Sequence, residues 1–300
     1  MKQEEKKQIQ ALVKMRSGQF ESQKKFADSL IDVSEATVIN ILKWKPEADP
    51  GISNEMWRSV GFQVDWRKKA NQFVETQNAQ TLILYYMLAQ DYGEMFCVVG
   101  LQGRGKTFTA EWFSARTRNR NVFMVKCKEV LNKKYFLIEI LRSMGKRYEG
   151  MNLYELWQSI IYEVSRLENP LFIFDEIDKL PDNILSFFIQ LYNELRFNCG
   201  FVLQGQPRFR ERVKKGIEKG RAGYRELFSR FGSAYIELPN PSEKEVREIC
   251  RANGITDAEE INRAVNESHG DLRRIDRVLI KSETAKYEQQ IIRRMKSLVA

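Results

Sequence analysis

The sequence predicts a three-part chain: a small all-α unit at residues 1–62, an α/β core with a parallel sheet at 63–239, and a helical lid with a basic tail at 240–300. Strand-length apolar runs alternate with helical segments between residues 95 and 238, as in a parallel sheet with helical crossovers. On both sides of that region, apolar residues recur only at helical spacing. The apolar run 95–99 leads directly into the glycine-rich segment Gly100–Thr107.

The first part contains four segments with helical periodicity, at 8–15, 22–30, 34–42 and 53–60. Residues 23–38 resemble the helix-turn-helix of the lambda-repressor-like family, with Ala27 at the contact between the helices. The turn is Ile31-Asp32, one residue longer than the family's glycine turn. This resemblance implies DNA contact by Ser34 and Thr37 at the start of the second helix, whereas a plain helical bundle would show the same periodicity. Residues 63–71 are a plausible linker into the core.

Strands and helices then alternate through the core. Strands are predicted at 95–99, 121–127, 170–174, 199–204 and 234–238, and helices at 76–90, 108–118, 131–144, 153–167, 183–197 and 207–219. After residue 242 the pattern is helical to the end of the chain.

The segment Gly100-Leu101-Gln102-Gly103-Arg104-Gly105-Lys106-Thr107 matches G-x-x-x-x-G-K-T, the phosphate loop or Walker A motif. In this motif, backbone N–H groups surround the β-phosphate, the lysine reaches the β- and γ-phosphates, and the threonine hydroxyl binds Mg²⁺. The predicted ATP-binding residues here are Gly100, Gln102, Gly103, Arg104, Gly105, Lys106, Thr107 and Phe108.

A second acidic element follows the apolar run Leu171–Phe174. Asp175 comes at the carboxyl end of this predicted strand, where it is expected to hold Mg²⁺ through water together with Thr107. Glu176 is placed to polarise the water that attacks the γ-phosphate. The pair forms a Walker B element, and ATP and Mg²⁺ are therefore the expected cofactors.

At this point the chain resembles the AAA+ ATPase family from about residue 76 to its end. The resemblance implies a sensor 1 side chain at Gln206, with Gln204 as the alternative. It also implies an arginine finger at Arg230, with Arg225 as the second candidate, and a sensor 2 arginine at Arg273. A finger that serves the neighbouring subunit implies a homo-oligomer, either a ring or a filament.

Composition limits the location and the partners of the chain. A formal net charge of +9 suggests a polyanionic partner such as nucleic acid. No apolar run approaches the roughly 20 residues of a membrane span, and the first residues have no signal-peptide core, so a cytoplasmic protein is expected. The four separated cysteines are expected to be buried free thiols, and the single histidine, His269, to be exposed.

The layout of a helical unit, one compact ATPase and a helical lid resembles the family of phage Mu transposition protein B (MuB) and, in the ATPase part, TnsC of Tn7-like elements. This resemblance implies a helical filament on double-stranded target DNA, largely independent of sequence, that presents the DNA to a transposase and is disassembled by hydrolysis. A helicase loader acting on single-stranded DNA and an ATP-switched DNA-binding regulator remain alternatives. Beyond the first unit, the DNA-binding candidates are Lys126, Lys128, Lys133, Lys134, Arg208 and Arg210.

Overall fold

The computed structural model describes residues 1–18, 20, 22–64, 66, 72–117, 121–275, 277–278, 280–281 and 284. The first four helices are α1 (Gln3–Ser17), α2 (Gln23–Asp28), α3 (Glu35–Lys43) and α4 (Asn54–Gln63). They bury an apolar core of their own that includes Ile9, Phe26, Ile41 and Trp57. The predicted linker at 63–71 lies mostly outside the described residues.

The connection between α2 and α3 is a tight turn. Asp32 has a φ of 55° in this turn, a left-handed conformation that aspartate tolerates better than most residues. The Gln63 amide holds the turn against α4, because Nε2 donates to the Ile31 carbonyl at 3.0 Å while Oε1 accepts from the Ile31 amide at 2.6 Å. The Ser34 hydroxyl caps α3 by accepting from the Thr37 amide at 3.1 Å.

The α/β part places five strands in one sheet. They are β1 (Met95–Val99), β2 (Val122–Lys126), β3 (Leu171–Asp175), β4 (Gly200–Gly205) and β5 (Ile236–Glu237). All pairs are parallel and the strand order is β2-β3-β4-β1-β5. The carboxyl ends of β1, β3 and β4 therefore meet at one edge of the sheet.

Helices cover both faces of this sheet. One face carries α5 (Gln77–Tyr92) and α6 (Lys106–Arg116), and the other carries α7 (Lys133–Ser143), α8 (Leu153–Ser165), α9 (Asp182–Leu195), α10 (Pro207–Glu218) and α11 (Tyr224–Arg230). Side chains alternate along each strand, so Ile173 and Val202 pack towards α5 and α6, whereas Phe174 and Leu203 pack towards the opposite layer. A short 3₁₀ turn, Ile177–Lys179, follows β3.

The lid begins with α12 (Glu243–Ala252) and α13 (Ala258–Ser268), whose apolar sides pack together around Val246, Ile261 and Ile275. It also contacts the start of the core, because the Glu245 carboxylate accepts from the backbone amide of Gln77 at 2.6 Å. This contact ties α12 to the first turn of α5.

Most sequence-predicted elements form within a few residues of their expected ends. Helix α11 was not predicted: it starts after Gly223, which has a φ of 83°, and its seven residues are too few to show helical periodicity. The four cysteines are buried free thiols and His269 is exposed, as expected. Most of the basic tail lies outside the described residues, and the division into three domains stays a prediction. In the described part of the chain, no helix is both long and apolar enough to cross a membrane.

Candidate nucleotide site

The phosphate loop joins β1 to α6 at the carboxyl edge of the sheet. Gly103 and Gly105 have φ values of 75° and 85°, which side-chain-bearing residues rarely adopt. The Gly100 amide donates to the Gly205 carbonyl at 3.1 Å, which anchors the start of the loop to β4. Helix α6 starts directly at the end of the loop and has no side-chain cap at Gly105, as an anion site at a helix N-terminus requires.

Lys106 lies folded onto the loop itself. Its Nζ donates to the carbonyls of Gly100 at 2.6 Å and Leu101 at 3.0 Å. Burial lowers the pKa of Lys106, while the charge of Asp175 opposes that shift. A bound phosphate would offer this half-buried ammonium group a stronger, charged partner than the two carbonyls.

Thr107 and Asp175 join the phosphate loop to β3. The Thr107 hydroxyl donates to Asp175 Oδ2 at 2.6 Å, and the Asp175 side chain is buried. Burial raises the pKa of the Asp175 carboxyl, partly offset by the bond from Thr107. The described residues contain no cluster of three or more potential metal ligands. One hydroxyl and one carboxylate nevertheless fit Mg²⁺, which usually takes few protein ligands and completes its shell with phosphates and water.

Glu176 directly follows β3 in a left-handed conformation, with a φ of 58°. Its side chain is about half exposed and forms an ion pair with Lys179, with 2.6 Å between Lys179 Nζ and Glu176 Oε2. Such backbone strain is common at functional sites, where the surrounding structure maintains it. The carboxylate is accessible to solvent beside the buried Asp175, as a water-activating group requires.

The two sensor 1 candidates differ in their surroundings. Gln204 is fully buried in β4 and donates through Nε2 to the Tyr86 hydroxyl on α5. Gln206 is half-buried just after the strand, and its backbone amide donates to Asp178 Oδ1 at 3.1 Å. Of the two side chains, only Gln206 is open to solvent at the carboxyl edge of the sheet.

Both finger candidates lie on α11. Arg230 pairs with Glu226 at 3.2 Å, and Glu226 also accepts from Asn193 Nδ2 at 2.9 Å. Arg225 is exposed and has no ion-pair partner among the described residues. Arg230 would therefore have to leave Glu226 in order to reach a neighbouring subunit, whereas Arg225 is already available.

The lid docks directly on the phosphate loop. The Leu272 amide donates to the Gly103 carbonyl at 3.0 Å, and Arg273 Nη2 donates to Gln102 Oε1 at 2.9 Å. The Arg273 guanidinium also holds the pKa of Asp271 below its usual range. Arg104 is buried and bonds to Asn240, at the hinge between β5 and the lid. The phosphate loop, the hinge and the lid thus form one connected polar network.

The ring of Phe108 lies near other aromatic rings. Its ring lies 6.1 Å from that of Phe73, which stacks at 3.8 Å on Trp112 of α6. This aromatic group covers the outer side of α6 next to the phosphate loop.

The predicted DNA-binding residues fall into two groups. Lys128 lies on the connection between β2 and α7, and Lys133 and Lys134 begin α7. All three are exposed and have no carboxylate partner among the described residues, although Lys133 Nζ lies 5.4 Å from the centroid of the Phe187 ring. The others already have partners in this chain. Lys126 pairs with Glu111, Arg208 with Asp178, Arg210 with Glu237, and the Ser34 and Thr37 hydroxyls with each other.

Several residues of the site were missed by sequence reasoning. They are Asn78, whose Nδ2 donates to the Pro239 carbonyl, together with Tyr86, Asn240, Asp271 and Asp178. A signal was available for one pair, since Gln204 is a polar residue in an otherwise apolar strand and so needs a buried partner. Asp271 bonds to Arg273, only two residues along the chain. The contacts of Asn78, Asn240 and Asp178 join residues 30 or more positions apart, so the local sequence pattern gives no sign of them.

The fold and this site together have the arrangement of a P-loop nucleotide-binding domain. Residues 89–213 match the family model described as AAA domain. The crystal structure of Cdc6p from Pyrobaculum aerophilum is similar, with a TM-score of 0.53 and 17% identity over 75% of this chain and 65% of that one. The present chain thus spans less than two thirds of that protein's length. The predicted α/β fold with a P-loop AAA+ sheet, preceded by helices, is confirmed.

Two structures of NtrX from Brucella abortus are more distant. The first has a TM-score of 0.44 and 11% identity over 82% of this chain and 56% of that one. The second, a complex with ATP, has a TM-score of 0.41 and 12% identity over 80% of this chain and 58% of that one. A search of curated proteins gave no match.

The contact between lid and phosphate loop predicts a specific effect of Gly103→Ala. A Cβ at Gly103 would overlap the Asp271 side chain, so the lid should separate from the loop. We expect hydrogen–deuterium exchange in the peptide containing Leu272 to become about tenfold faster. Gly254→Ala is the matched control, because Gly254 has a φ of 85° with open space around it. Equal exchange in both variants would contradict docking through Gly103.

Proposed function

We propose that this protein is an ATPase that assembles with ATP on double-stranded DNA, delivers that DNA to a transposase and activates it, and leaves the DNA after hydrolysis. The observation that carries the ATPase part is the Thr107–Asp175 hydrogen bond at the carboxyl edge of the sheet, with the accessible Glu176 beside it. A matched AAA domain in residues 89–213 supports the same activity.

In the proposed mechanism, backbone N–H groups of the phosphate loop and Lys106 bind the β- and γ-phosphates. Thr107 and Asp175 would hold Mg²⁺, which supplies charge neutralisation to the phosphates when bound. Glu176 would accept a hydrogen bond from the attacking water, and for this its ion pair with Lys179 must loosen. Gln206 would contact the same water or the γ-phosphate.

Two arginines would complete the site. Arg273 lies on the docked lid and bonds to Gln102 of the phosphate loop. It would contact a bound phosphate by exchanging the Gln102 oxygen for a phosphate oxygen. Arg225 or Arg230 would reach the nucleotide of a neighbouring subunit and stabilise the charge that develops in the transition state. This assignment requires a homo-oligomer in which two subunits share each site.

The DNA part of the proposal is supported by charge and by the N-terminal unit. Lys128, Lys133 and Lys134 are exposed cations with no carboxylate partner among the described residues, which suits phosphate contacts that do not depend on sequence. In contrast, Arg208 and Arg210 pair with carboxylates and are weaker candidates. The capped helix pair α2–α3, with its left-handed turn at Asp32, is compatible with a helix-turn-helix. The transposase partner rests on the family resemblance alone.

Glu176→Gln tests the hydrolytic step. The substitution keeps the size and polarity of the side chain but removes the base, so we expect ATP to bind with parent affinity and to be hydrolysed about 10²-fold more slowly or worse. The variant should also remain on DNA longer, which the dissociation rate from labelled duplex measures. The control is Glu259→Gln, on the exposed first turn of α13. Hydrolysis at the parent rate would show that Glu176 does not activate the attacking water.

Lys133→Gln combined with Lys134→Gln tests the DNA surface. If each lysine contacts a phosphate, the slope of log affinity against log salt should decrease in magnitude by about 2. A charge-matched control is Lys244→Gln combined with Arg251→Gln, on the exposed side of α12. Fluorescence anisotropy with duplex DNA at several salt concentrations measures both slopes. The assignment fails if the two double variants lose affinity equally.

A further inference from the structure

A tyrosine and a glutamine lie buried beneath the phosphate loop, on the sheet face that α5 and α6 cover. The side chains of Tyr86 and Gln204 are fully buried, and Gln204 Nε2 donates to the Tyr86 hydroxyl. The layer around them contains apolar residues such as Leu82, Val98 and Val202. Burying an amide and a hydroxyl there is unfavourable unless their hydrogen bonds are complete.

Asp175 stands next to this pair. In the pairing of β3 with β4, Ile173 lies opposite Val202 and Phe174 lies opposite Leu203. The next residue of each strand continues this register, so Asp175 lies beside Gln204. Side chains alternate along strands, so Asp175 and Gln204 project from the same face as Ile173 and Val202. Burial raises the pKa of Tyr86 well above its usual range, while the hydrogen bond with Gln204 lowers it and the charge of Asp175 raises it.

The two neighbouring side chains each have an unsatisfied acceptor. Gln204 Oε1 and Asp175 Oδ1 are buried and have no hydrogen-bond partner among the described residues. Turning the Gln204 amide by about 180° exchanges its oxygen and nitrogen within nearly the same shape. The Tyr86 hydroxyl can then donate to Oε1, and Nε2 is free to donate to Asp175 Oδ1. One rotation therefore satisfies both orphaned acceptors.

We propose that Tyr86 and Gln204 form a two-step hydrogen-bond relay that fixes the Asp175 carboxylate, with Tyr86 donating to Gln204 and Gln204 donating to Asp175. The inference rests on the proposed function, in which Asp175 helps to hold Mg²⁺. Thr107 holds Oδ2 at 2.6 Å from one side, and the relay holds Oδ1 from the other. Tyr86 and Gln204 are thus positioning residues, since they act on nucleotide and metal only through Asp175.

The relay explains why a polar pair, Tyr86 and Gln204, is buried next to Asp175. A carboxylate that is almost fully buried favours its neutral form, and each donated hydrogen bond favours the charged form instead. Two donors on opposite oxygens also prevent rotation of the carboxylate plane. Partners of this kind, which touch a ligand rather than the metal, commonly change metal affinity or activity by 10- to 100-fold when they are removed.

Tyr86→Phe tests the relay, because it removes the donor and keeps the ring. The measurement is the Mg²⁺ concentration that gives half of the rise in melting temperature of the full-length protein with saturating ATP. We expect about tenfold more Mg²⁺ to be needed, while ATP binding in EDTA stays at the parent level. Gln204→Met should behave in the same way, since it removes the second donor with little change in volume.

Tyr85→Phe is the matched control. Tyr85 is the preceding residue on α5, is half-buried, and packs its ring edge-on against Phe96 at 5.0 Å. It lies outside the relay, so the variant should keep the parent Mg²⁺ midpoint.

Two results would overturn the relay. One is a parent-like Mg²⁺ midpoint in both Tyr86→Phe and Gln204→Met, and the other is a loss of melting temperature in these variants without any change of midpoint. The second result would mean that the pair only stabilises the fold. If the parent itself does not respond to ATP and Mg²⁺, the proposed ATPase function fails, which is a separate result because it needs no variant.

Discussion

The hydrogen bond from Thr107 to Asp175 is the contact on which the rest of the site depends. It joins the first turn of α6 to the end of β3, two segments 68 residues apart in the chain. Sheet order makes this possible, because β4 separates β1 from β3 and all three strands end at the same edge. Around this hydrogen bond lie three other residues of the site, Glu176, Gln204 and Lys106.

The lid adds a second constraint. Gln102, Gly103 and Arg104 of the phosphate loop each contact the lid or its hinge, so the loop cannot change shape without affecting the lid. A phosphate bound at Lys106 would replace contacts that the loop now makes with itself. Under the proposed function, this linkage lets nucleotide occupancy influence how a subunit presents its lid and α11 to a neighbour.

Much of the fold could be predicted from sequence, because its signals are local. A glycine-rich loop after an apolar strand and a pair of acids after another specify the two central motifs within a few residues. Strand and helix positions follow from periodicity. Helix α11 was missed since it has only seven residues and depends on a left-handed glycine at its start.

The polar contacts between distant segments could not be predicted. The sequence pattern made both the lysines near β2 and the arginines of α10 candidates for DNA contact, whereas the structure pairs Arg208 with Asp178 and Arg210 with Glu237. The hydrogen-bonded residues Tyr86 and Gln204 are 118 positions apart in the sequence, and Arg104 and Asn240 are 136 positions apart. The polar Gln204 in an apolar strand signals the need for a buried partner, but the identity of each partner depends on tertiary packing, which no local pattern encodes.

The proposal that ATP binding drives assembly on DNA is tested most directly by negative-stain electron microscopy of the protein with duplex DNA, ATP and Mg²⁺. We expect continuous helical filaments along the duplex that shorten as ATP is hydrolysed. Discrete rings found only on single-stranded DNA, or duplex DNA left bare in the presence of ATP, would contradict it.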